Sequence, residues 1–389
     1  MAGIYIHIPF CKKRCVYCDF FSSTHSKYKD SYIEAICKEL NIRGNYLQNE
    51  TIETIYFGGG TPSQLNVNDF KKIFQTLSSR HVEHSRNTFH LSPIMEITLE
   101  ANPDDLTPAY IDSIRDLPFN RISLGVQSFN DRELEFLNRR HNAENAIKAI
   151  KHLQERGFKN ISIDLMYGLP GQNEADWRKT LTQARALFVQ HISAYHLIYE
   201  EGTPLYNDLQ KGLIRPVDEE LSVHLFEILM DELTETGFEH YEISNFAQPC
   251  YHSKHNASYW NGTHYLGIGA SAHSYNGLSR QWNVSSIPKY IELVMNQEFN
   301  EKQLQTPESF EIIDEKTAYN DFVLTRLRIK EGIGLPELIS LFGEEKKIYC
   351  LRQAQKHINN QSLELSDNWL CLTKEGIFIS DGIMSDLLL

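Results

Sequence analysis

Three cysteines near the amino terminus lie within eight residues of one another. Cys11, Cys15 and Cys18 have the spacing C-x3-C-x2-C, and three basic residues separate the first two. Thiolates are soft ligands that suit iron–sulfur clusters and zinc. A compact loop with this spacing can present three thiolates to a four-iron, four-sulfur cluster, which leaves one iron open for another ligand. The spacing therefore predicts a [4Fe-4S] site, and zinc with His7 or His25 as fourth ligand is the alternative.

The hydrophobic pattern predicts a framework of alternating strands and helices around this motif. Strands are predicted at 4–8, 54–57, 96–100, 121–126, 160–166 and 191–197, and helices at 30–47, 66–77, 108–117, 131–137, 143–156 and 174–187. Such an alternation predicts an α/β fold, in which a parallel sheet with right-handed crossovers curls into a partial (β/α)6 TIM-like barrel. Ligands bind at the carboxyl ends of such strands. The cysteines and a glycine-rich turn at 58–62 both lie at such ends.

The pattern changes after residue 200. A helix is predicted at 218–236, and the polar, aromatic stretch 245–273 is expected to be irregular and to lie near the open side of the barrel. Residues 296–311 have the composition of a linker. Helices at 315–328, 335–341 and 345–359, followed by two short strands and a last helix, predict a small α+β, winged-helix-like domain. We therefore expect two domains, 1–295 and 296–389.

Composition limits the classes of function. The chain has 389 residues, with 38 Lys+Arg against 51 Asp+Glu, and its formal net charge is −13. An acidic surface repels phosphate backbones, which argues against nucleic-acid binding. No apolar run approaches the roughly 18 residues of a transmembrane helix, and the amino terminus lacks a signal-peptide pattern. The seven cysteines are an odd number and favour a reducing compartment. We expect a soluble, cytoplasmic protein.

The motifs resemble those of the radical S-adenosylmethionine superfamily. The cysteine motif follows a first strand and has an aromatic residue, Tyr17, before its third cysteine. The GGGTP sequence at 58–62 looks like the glycine motif of that superfamily, one strand–helix unit later. Glycines let main-chain groups approach a ligand without interference from a Cβ. The resemblance implies that the thiolates hold a [4Fe-4S] cluster and that S-adenosylmethionine binds against it.

Within the superfamily, the chain resembles the oxygen-independent coproporphyrinogen III oxidase-like family over most of its length. The matching segments are YIHIPFC at 5–11, EANP at 100–103, GVQSF at 125–129, RRH at 139–141 and DLMYGLPG at 164–171. By position, the resemblance assigns S-adenosylmethionine contacts to Tyr5, Tyr17, Gly59, Gly60, Thr61, Glu100, Gln127, Arg139 and Asp164. Carboxylates suit ammonium or ribose hydroxyls, and an arginine can pair with a carboxylate through two hydrogen bonds. A structural hydrogen bond or ion pair is the alternative for each residue.

The haem-chaperone branch of this family has an H-N-x-x-Y-W motif, which this chain matches. The motif comprises His255, Asn256, Tyr259 and Trp260. The resemblance implies a haem site, for which His255 supplies an imidazole and the aromatic pair supplies flat apolar contacts. A hydrogen-bonded loop histidine beside two core aromatics is the alternative. Further candidates for this site are Cys250, His252 and His264.

One residue favours this branch over the other. In the true oxidases the cysteine motif resembles C-x3-C-x2-C-x-C, which has a fourth cysteine two residues after the third. In this chain, Phe20 occupies the position of that fourth cysteine. We therefore expect a chaperone that binds haem and transfers it to acceptor haemoproteins, membrane-bound respiratory enzymes among them. The alternative is an oxygen-independent coproporphyrinogen III oxidase of porphyrin biosynthesis. We assign no catalytic residue and expect no oxidase activity.

Overall fold

The computed structural model describes residues 1–48, 50–78, 89–296 and 309–389. Across these residues, no helix combines the length and apolar character that a membrane span requires. The structure is a mixed α/β fold with one sheet of twelve strands and a second sheet of three.

The first half of the chain alternates strands with helices, as predicted. The strands are β1 (Ala2–Ile8), β2 (Thr51–Gly59), β3 (His90–Ala101), β4 (Arg121–Gln127), β5 (Ile161–Tyr167) and β6 (His191–His196). The helices are α1 (Lys29–Ile42), α2 (Val67–Ser78), α3 (Pro108–Ile114), α4 (Asp131–Phe136), α5 (Ala143–Glu155) and α6 (Glu174–Ala186). Each strand from β1 to β6 is parallel to the next. The six-strand parallel core of the predicted barrel is therefore confirmed.

Local sequence explains why these elements form. In β1, Ile4, Ile6 and Ile8 are fully buried in the main hydrophobic core, while Tyr5 and His7 alternate with them on the other face. Asparagine side chains at positions 130, 142 and 173 accept N–H groups at the first turns of α4, α5 and α6. Such caps satisfy donors that have no partner within the helix and fix where each helix begins.

The sheet curls so that its inner face surrounds a common space. Tyr56 on β2 lies close enough to Asp164 on β5 and Tyr195 on β6 for their charges to act on its hydroxyl. Glu100 on β3 is likewise close to Asp164. Side chains from non-adjacent strands meet only if the sheet is curved, so the partial-barrel prediction is confirmed.

The region after β6 contains more regular structure than its sequence indicated. Its elements are α7 (Pro204–Gln210), α8 (Glu219–Thr234), β7 (Glu239–Glu242), β8 (Asn245–Ala247), α9 (Lys254–Trp260), β9 (His264–Ile268), β10 (His273–Tyr275), β11 (Ser279–Trp282), α10 (Ile287–Met295) and β12 (Phe310–Ile312). The strand order is β12-β11-β10-β9-β1-β2-β3-β4-β5-β6-β8-β7, and β9 is parallel to β1. The helix predicted at 218–236 is confirmed as α8.

The expectation that 245–273 is irregular was wrong. This segment contains β8, α9 and β9 and begins β10. The Ser253 side chain accepts the N–H of Asn256 and starts α9, while the Glu96 carboxylate accepts the N–H of His255 at 3.1 Å. The contact with Glu96 joins residues far apart in sequence, so the local pattern did not predict it.

The carboxyl-terminal region is a small α+β, winged-helix-like unit. Its elements are α11 (Glu315–Arg326), β13 (Ile333–Gly334), α12 (Leu335–Asn359), β14 (Leu363–Ser366), β15 (Trp369–Leu372), α13 (Lys374–Ile377) and α14 (Ser380–Asp386). The helix α12 breaks at Gly343, where φ is 83°, and this break separates the two helices that the sequence predicted. A hydrophobic cluster of its own, which includes Tyr319, Leu338 and Leu370, holds the unit together.

The predicted linker at 296–311 falls largely outside the described residues, which omit 297–308. At its far end, Phe310–Ile312 pairs with β11 as an edge strand of the large sheet. The division into domains 1–295 and 296–389 stays a prediction.

Candidate functional site

The three clustered cysteines lie on a loop that leaves the carboxyl end of β1. The N–H of Cys11 donates to the carbonyl of Ser23 at 2.9 Å, and the N–H of Ser23 donates to the carbonyl of Pro9 at 2.7 Å. These bonds tie the two ends of the loop together beside the strand. The loop is therefore anchored where the thiols of Cys11, Cys15 and Cys18 are needed, and all three are partly buried and unpaired.

Two of the thiols have polar partners from other segments of the chain. The hydroxyl of Thr61 donates to Cys11 Sγ at 3.3 Å, and Arg139 Nη1 donates to Cys15 Sγ at 3.2 Å. Burial raises the pKa of Cys11, and it raises the pKa of Cys18 to about 11. These two cysteines are therefore protonated thiols at neutral pH until a metal displaces the proton.

One of the two histidines considered for a zinc site, His7, already has partners at both ring nitrogens. Its Nδ1 lies 3.1 Å from the Tyr5 hydroxyl, and its Nε2 lies 2.9 Å from the carbonyl oxygen of Phe21. In the part of the chain that the structure describes, no three His, Cys, Asp or Glu side chains, those of Cys11, Cys15 and Cys18 included, lie close enough together to hold a single metal ion.

The glycine-rich turn ends β2 directly beside the cysteine loop. Gly59 has φ of +108°, and a Cβ at this position would stand 2.4 Å from ring atoms of His7. A Cβ on Gly60 would stand 2.7 Å from the main chain of Pro9. These glycines therefore let the turn pack against β1 and its loop. A bulky residue here would clash with the protein itself and not with a ligand alone.

Two partly buried carboxyl groups, those of Glu100 on β3 and Asp164 on β5, lie near each other in the barrel. Glu100 accepts hydrogen bonds from the Tyr56 hydroxyl at 2.7 Å and from the N–H of Gly59 at 3.1 Å. Burial, together with the nearby charge of Asp164, raises the pKa of Glu100 to about 7. Burial also raises the pKa of Asp164 to about 6. A cationic ligand group between them would restore the charged forms.

Arg139 links the cysteine loop to the strand ends. Its Nη2 donates to Asn102 Oδ1 and to the carbonyl of Gly125, both at 2.6 Å. Its Nε is buried and has no hydrogen-bond partner among the described residues. Gln127, at the end of β4, has φ of 69°, a left-handed conformation that is uncommon outside glycine. Such backbone strain clusters at functional sites.

These side chains surround one cavity of about 410 Å³, called the thiol cavity below. It is lined by eleven of the predicted cluster and S-adenosylmethionine residues, namely Cys11, Cys15, Tyr17, Cys18, Gly59, Gly60, Thr61, Glu100, Gln127, Arg139 and Asp164. The structure therefore brings together nearly every residue that sequence reasoning singled out for these ligands. Tyr5 stands at the edge of this group, near Glu100, with its ring beside that of Tyr56.

Some cavity residues were missed by sequence reasoning. They are Asn102, Met166, Tyr195, His196 and Ile198. All of them lie at or just after the carboxyl ends of β3, β5 and β6. Their position at strand ends was a usable signal, because ligands bind at this edge of a parallel barrel.

The H-N-x-x-Y-W motif forms α9 and lies elsewhere in the barrel. His255 is 1% exposed, its Nδ1 lies 2.7 Å from the Thr54 hydroxyl, and its Nε2 lies 3.0 Å from the Tyr259 hydroxyl. Its ring stacks on Tyr56 with centroids 4.9 Å apart. Burial lowers the pKa of His255 to about 3, so the ring is neutral. Both nitrogens are engaged, and iron ligation by His255 stays a prediction that requires one hydrogen bond to break.

The other motif residues and the further haem-site candidates have separate surroundings. Trp260 lies under Arg328, with the guanidinium carbon 5.2 Å from the ring centroid, and Asn256 is partly buried in the first turn of α9. Cys250 is exposed. His252 Nε2 lies 2.7 Å from Glu239, and His264 Nδ1 lies 2.5 Å from Glu50.

Comparison with known proteins agrees with this fold and site. The sequence profile of the Radical SAM superfamily matches residues 5–184, the segment that carries the cysteine loop and most of the cavity. The solved structure titled as coproporphyrinogen III oxidase (HemN) from Escherichia coli, a radical SAM enzyme, has a TM-score of 0.82 to this chain. It is 22% identical, and the match covers 99% of this chain and 89% of that one. The likeness shows the same fold, which is that of the radical SAM class.

Curated relatives narrow the class to one family. The Heme chaperone HemW of Mycobacterium tuberculosis is 31% identical over 99% of this chain and 94% of the relative. The Heme chaperone HemW of Bacillus subtilis is 36% identical over 81% of this chain and 82% of the relative. At this identity and coverage, the chain belongs to the HemW family of radical SAM proteins.

Proposed function

We propose that this protein is a haem chaperone that binds haem and passes it to acceptor haemoproteins. The observation that carries the proposal is the similarity, over 99% of the chain, to proteins named Heme chaperone HemW. Phe20 supports the same choice, because it occupies the position at which the oxidases carry a fourth cysteine. Acceptors that are membrane-bound respiratory enzymes are part of the proposal. A cytoplasmic location is also part of it, since all seven cysteines are free thiols.

The proposal assigns a [4Fe-4S] cluster to Cys11, Cys15 and Cys18. The donor set fits, because three partly buried thiols lie on one anchored loop and Arg139 Nη1 donates a hydrogen bond to Cys15 Sγ. Such a cluster, when bound, supplies one iron that no cysteine holds, at which a ligand's amino and carboxylate groups can coordinate. Thr61 and Arg139 would orient the thiolates through their hydrogen bonds.

S-adenosylmethionine is proposed to occupy the thiol cavity. The fit rests on the unpartnered Nε of Arg139, which can donate to a carboxylate, and on Glu100 and Asp164, which are poised for an ammonium group or hydroxyls. The other proposed contacts are Tyr5, Tyr17, Gly59, Gly60, Thr61 and Gln127. For haem, the family motif proposes His255, Asn256, Tyr259 and Trp260, with the rearrangement at His255 that its two hydrogen bonds impose.

The function is tested by haem transfer. The full chain is reconstituted anaerobically with iron and sulfide, loaded with one equivalent of ferric haem, and freed of excess haem. It is then mixed with membranes from haem-deficient cells that contain respiratory apo-enzymes, and Soret spectra and restored oxidase activity are followed. We expect faster activation than from haem carried by serum albumin. Failure to bind haem, or transfer no faster than from albumin, contradicts the proposal.

A further inference from the structure

Large apolar side chains are exposed at the mouth of the thiol cavity. Phe20 is 65% exposed, Ile198 is 62% exposed and Tyr195 is 42% exposed, and all three line the cavity. Exposed groups of apolar side chains that border a cavity commonly mark a binding surface. They offer flat apolar contact of the kind that a porphyrin ring requires. We call Phe20, Tyr195, His196 and Ile198 the rim.

The rim also carries an imidazole. Of the histidines in the described ranges, His196 is the one that lines the thiol cavity, and it is exposed. Its Nε2 lies 3.1 Å from the Ser222 hydroxyl, and its ring packs edge-on against Tyr167 with centroids 5.2 Å apart, so ligation of iron requires this exposed side chain to change rotamer. Partial burial lowers the pKa of His196, so the neutral ring retains a lone pair at pH 7. By contrast, His255 is enclosed in the barrel with both nitrogens bonded.

Cationic groups stand beside the same mouth. Lys13 and Arg14 line the thiol cavity and are exposed, although the chain as a whole is acidic with a net charge of −13. Carboxylates such as haem propionates pair with these side chains through charge-assisted hydrogen bonds. Apolar walls, an imidazole and a cationic edge thus meet at one opening.

We infer that haem binds across the rim, with His196 as axial ligand, Phe20, Tyr195 and Ile198 against the porphyrin, and the propionates toward Lys13 and Arg14. This inference rests on the proposed haem-chaperone function and names the site. The cavity of about 410 Å³ is small for a site that must also hold S-adenosylmethionine. A haem on the rim therefore stays partly exposed, which leaves one edge accessible to an acceptor.

The experiment compares histidine variants in the cluster-loaded full chain. Ferric haem is titrated anaerobically into the wild type, His196→Ala, His255→Ala and His90→Ala, and each haem-free spectrum is subtracted. His90 is the matched control, because it is an exposed histidine at the amino end of β3, outside the cavity. We expect His196→Ala to weaken haem binding by about tenfold or more and to abolish the imidazole-ligated spectrum. Free imidazole is expected to restore that spectrum in His196→Ala. His90→Ala is expected to match the wild type.

His255→Ala separates the two haem assignments. Loss of this buried ring leaves a cavity and two unpaired hydroxyls, so we expect a lower unfolding temperature but an unchanged haem spectrum in the folded protein. Wild-type haem affinity and spectrum in His196→Ala would overturn the rim site, and loss of the haem spectrum in a folded His255→Ala would return the site to α9. If the wild type itself binds no haem, the proposed function fails as well, so the two failures are distinguishable.

The propionate contacts are tested by the ligand. Haem dimethyl ester lacks both carboxylates, so we expect the wild type to prefer haem over the ester. Lys13→Gln combined with Arg14→Gln is expected to reduce that preference, while His90→Ala leaves it intact. An equal preference in the double variant and the wild type would contradict the orientation of haem on the rim.

Discussion

Two carboxylates with raised pKa values dominate the chemistry of the thiol cavity at the scale of single residues. Glu100 and Asp164 are both partly buried and close to each other, and their pKa values rise to about 7 and about 6. A buried carboxyl group whose pKa is raised in the folded state costs stability as the pH rises through that pKa. A cationic ligand offsets this cost. These two carboxyl groups therefore make the cavity suited to a ligand with an ammonium group.

This charge balance predicts a pH-dependent affinity. Below about pH 6, both carboxyls are largely protonated, so an ammonium group gains little from them. We expect the affinity for S-adenosylmethionine in the cluster-loaded protein to rise between about pH 5.5 and 8, measured by calorimetric titration. The Glu100→Gln variant is expected to bind S-adenosylmethionine weakly. Its affinity is expected to lose the pH dependence near pH 7 that Glu100 supplies and to keep the part that Asp164 supplies. Affinity independent of pH in the wild type would contradict the assignment.

The cysteines make a second prediction at this scale. Replacing Cys11, Cys15 and Cys18 together by Ala is expected to abolish iron and sulfide incorporation, because each contributes a separate thiolate. Cys250→Ala, which removes an exposed thiol far along the chain, is the control and is expected to retain full incorporation. Iron and sulfide are quantified after anaerobic reconstitution. A triple variant with wild-type iron content, or native protein with stoichiometric zinc, would exclude the cluster.

At the scale of elements, the turn after β2 depends on close contact with β1. The Glu100 side chain accepts the N–H of Gly59, and the N–H of Gly60 donates to the carbonyl of Ile8 at 2.9 Å. Glycine at position 59 adopts the left-handed conformation readily, and its lack of a Cβ leaves room for the His7 ring. The turn, the strand and the cysteine loop are therefore one packed unit.

This packing predicts a difference between two glycines. Gly59 and Gly171 both have positive φ, but a Cβ at Gly171 would meet no atom within 4 Å. We expect Gly171→Ala to cost about 1–2 kcal/mol from backbone strain alone. Gly59→Ala is expected to cost clearly more and to reduce cluster incorporation, because β1 must shift. Thermal unfolding and iron content are the measurements, and equal effects at both positions would show that the contact with His7 is unimportant.

At the scale of the whole molecule, the same fold serves proteins with different names. The chain shares a TM-score of 0.82 with an oxidase structure while belonging to the HemW family. Fold therefore does not decide the activity, and the side chains of the site must. The rim differs in kind from a closed active site, because Phe20 and Ile198 are left exposed at its mouth.

We accordingly predict no coproporphyrinogen III oxidase activity. Phe20 replaces the extra cysteine of the oxidases, so one feature of their site is missing. The reduced, cluster-loaded chain is incubated anaerobically with coproporphyrinogen III and S-adenosylmethionine, and protoporphyrinogen is quantified after oxidation to the porphyrin. We expect none above the level of the cysteine triple variant. Multiple turnovers would restore the oxidase interpretation.

The sequence by itself determined the cluster motif, the six-strand alternation and most residues around the thiol cavity. Cys11, Cys15 and Cys18 are close in sequence, so their spacing alone constrains where the thiols point. The strands from β1 to β6 were predictable because apolar residues repeat with the local period of strands and helices. Glu100, Gln127 and Asp164 were assigned by the family resemblance, and the strand-end positions of the two carboxylates agree with that assignment, since parallel strands bring those ends to one edge.

Only the tertiary structure decided the surroundings of His255 and His196. The sequence placed His255 in an irregular stretch near an opening, but Thr54 and Glu96, which lie far away in sequence, hold it inside the barrel. His196 has no motif around it, and its position at the cavity mouth depends on the curvature of the sheet. The burial of a residue depends on contacts between segments that are distant in sequence. The hydrophobic period of a short segment does not show which distant segments will cover it.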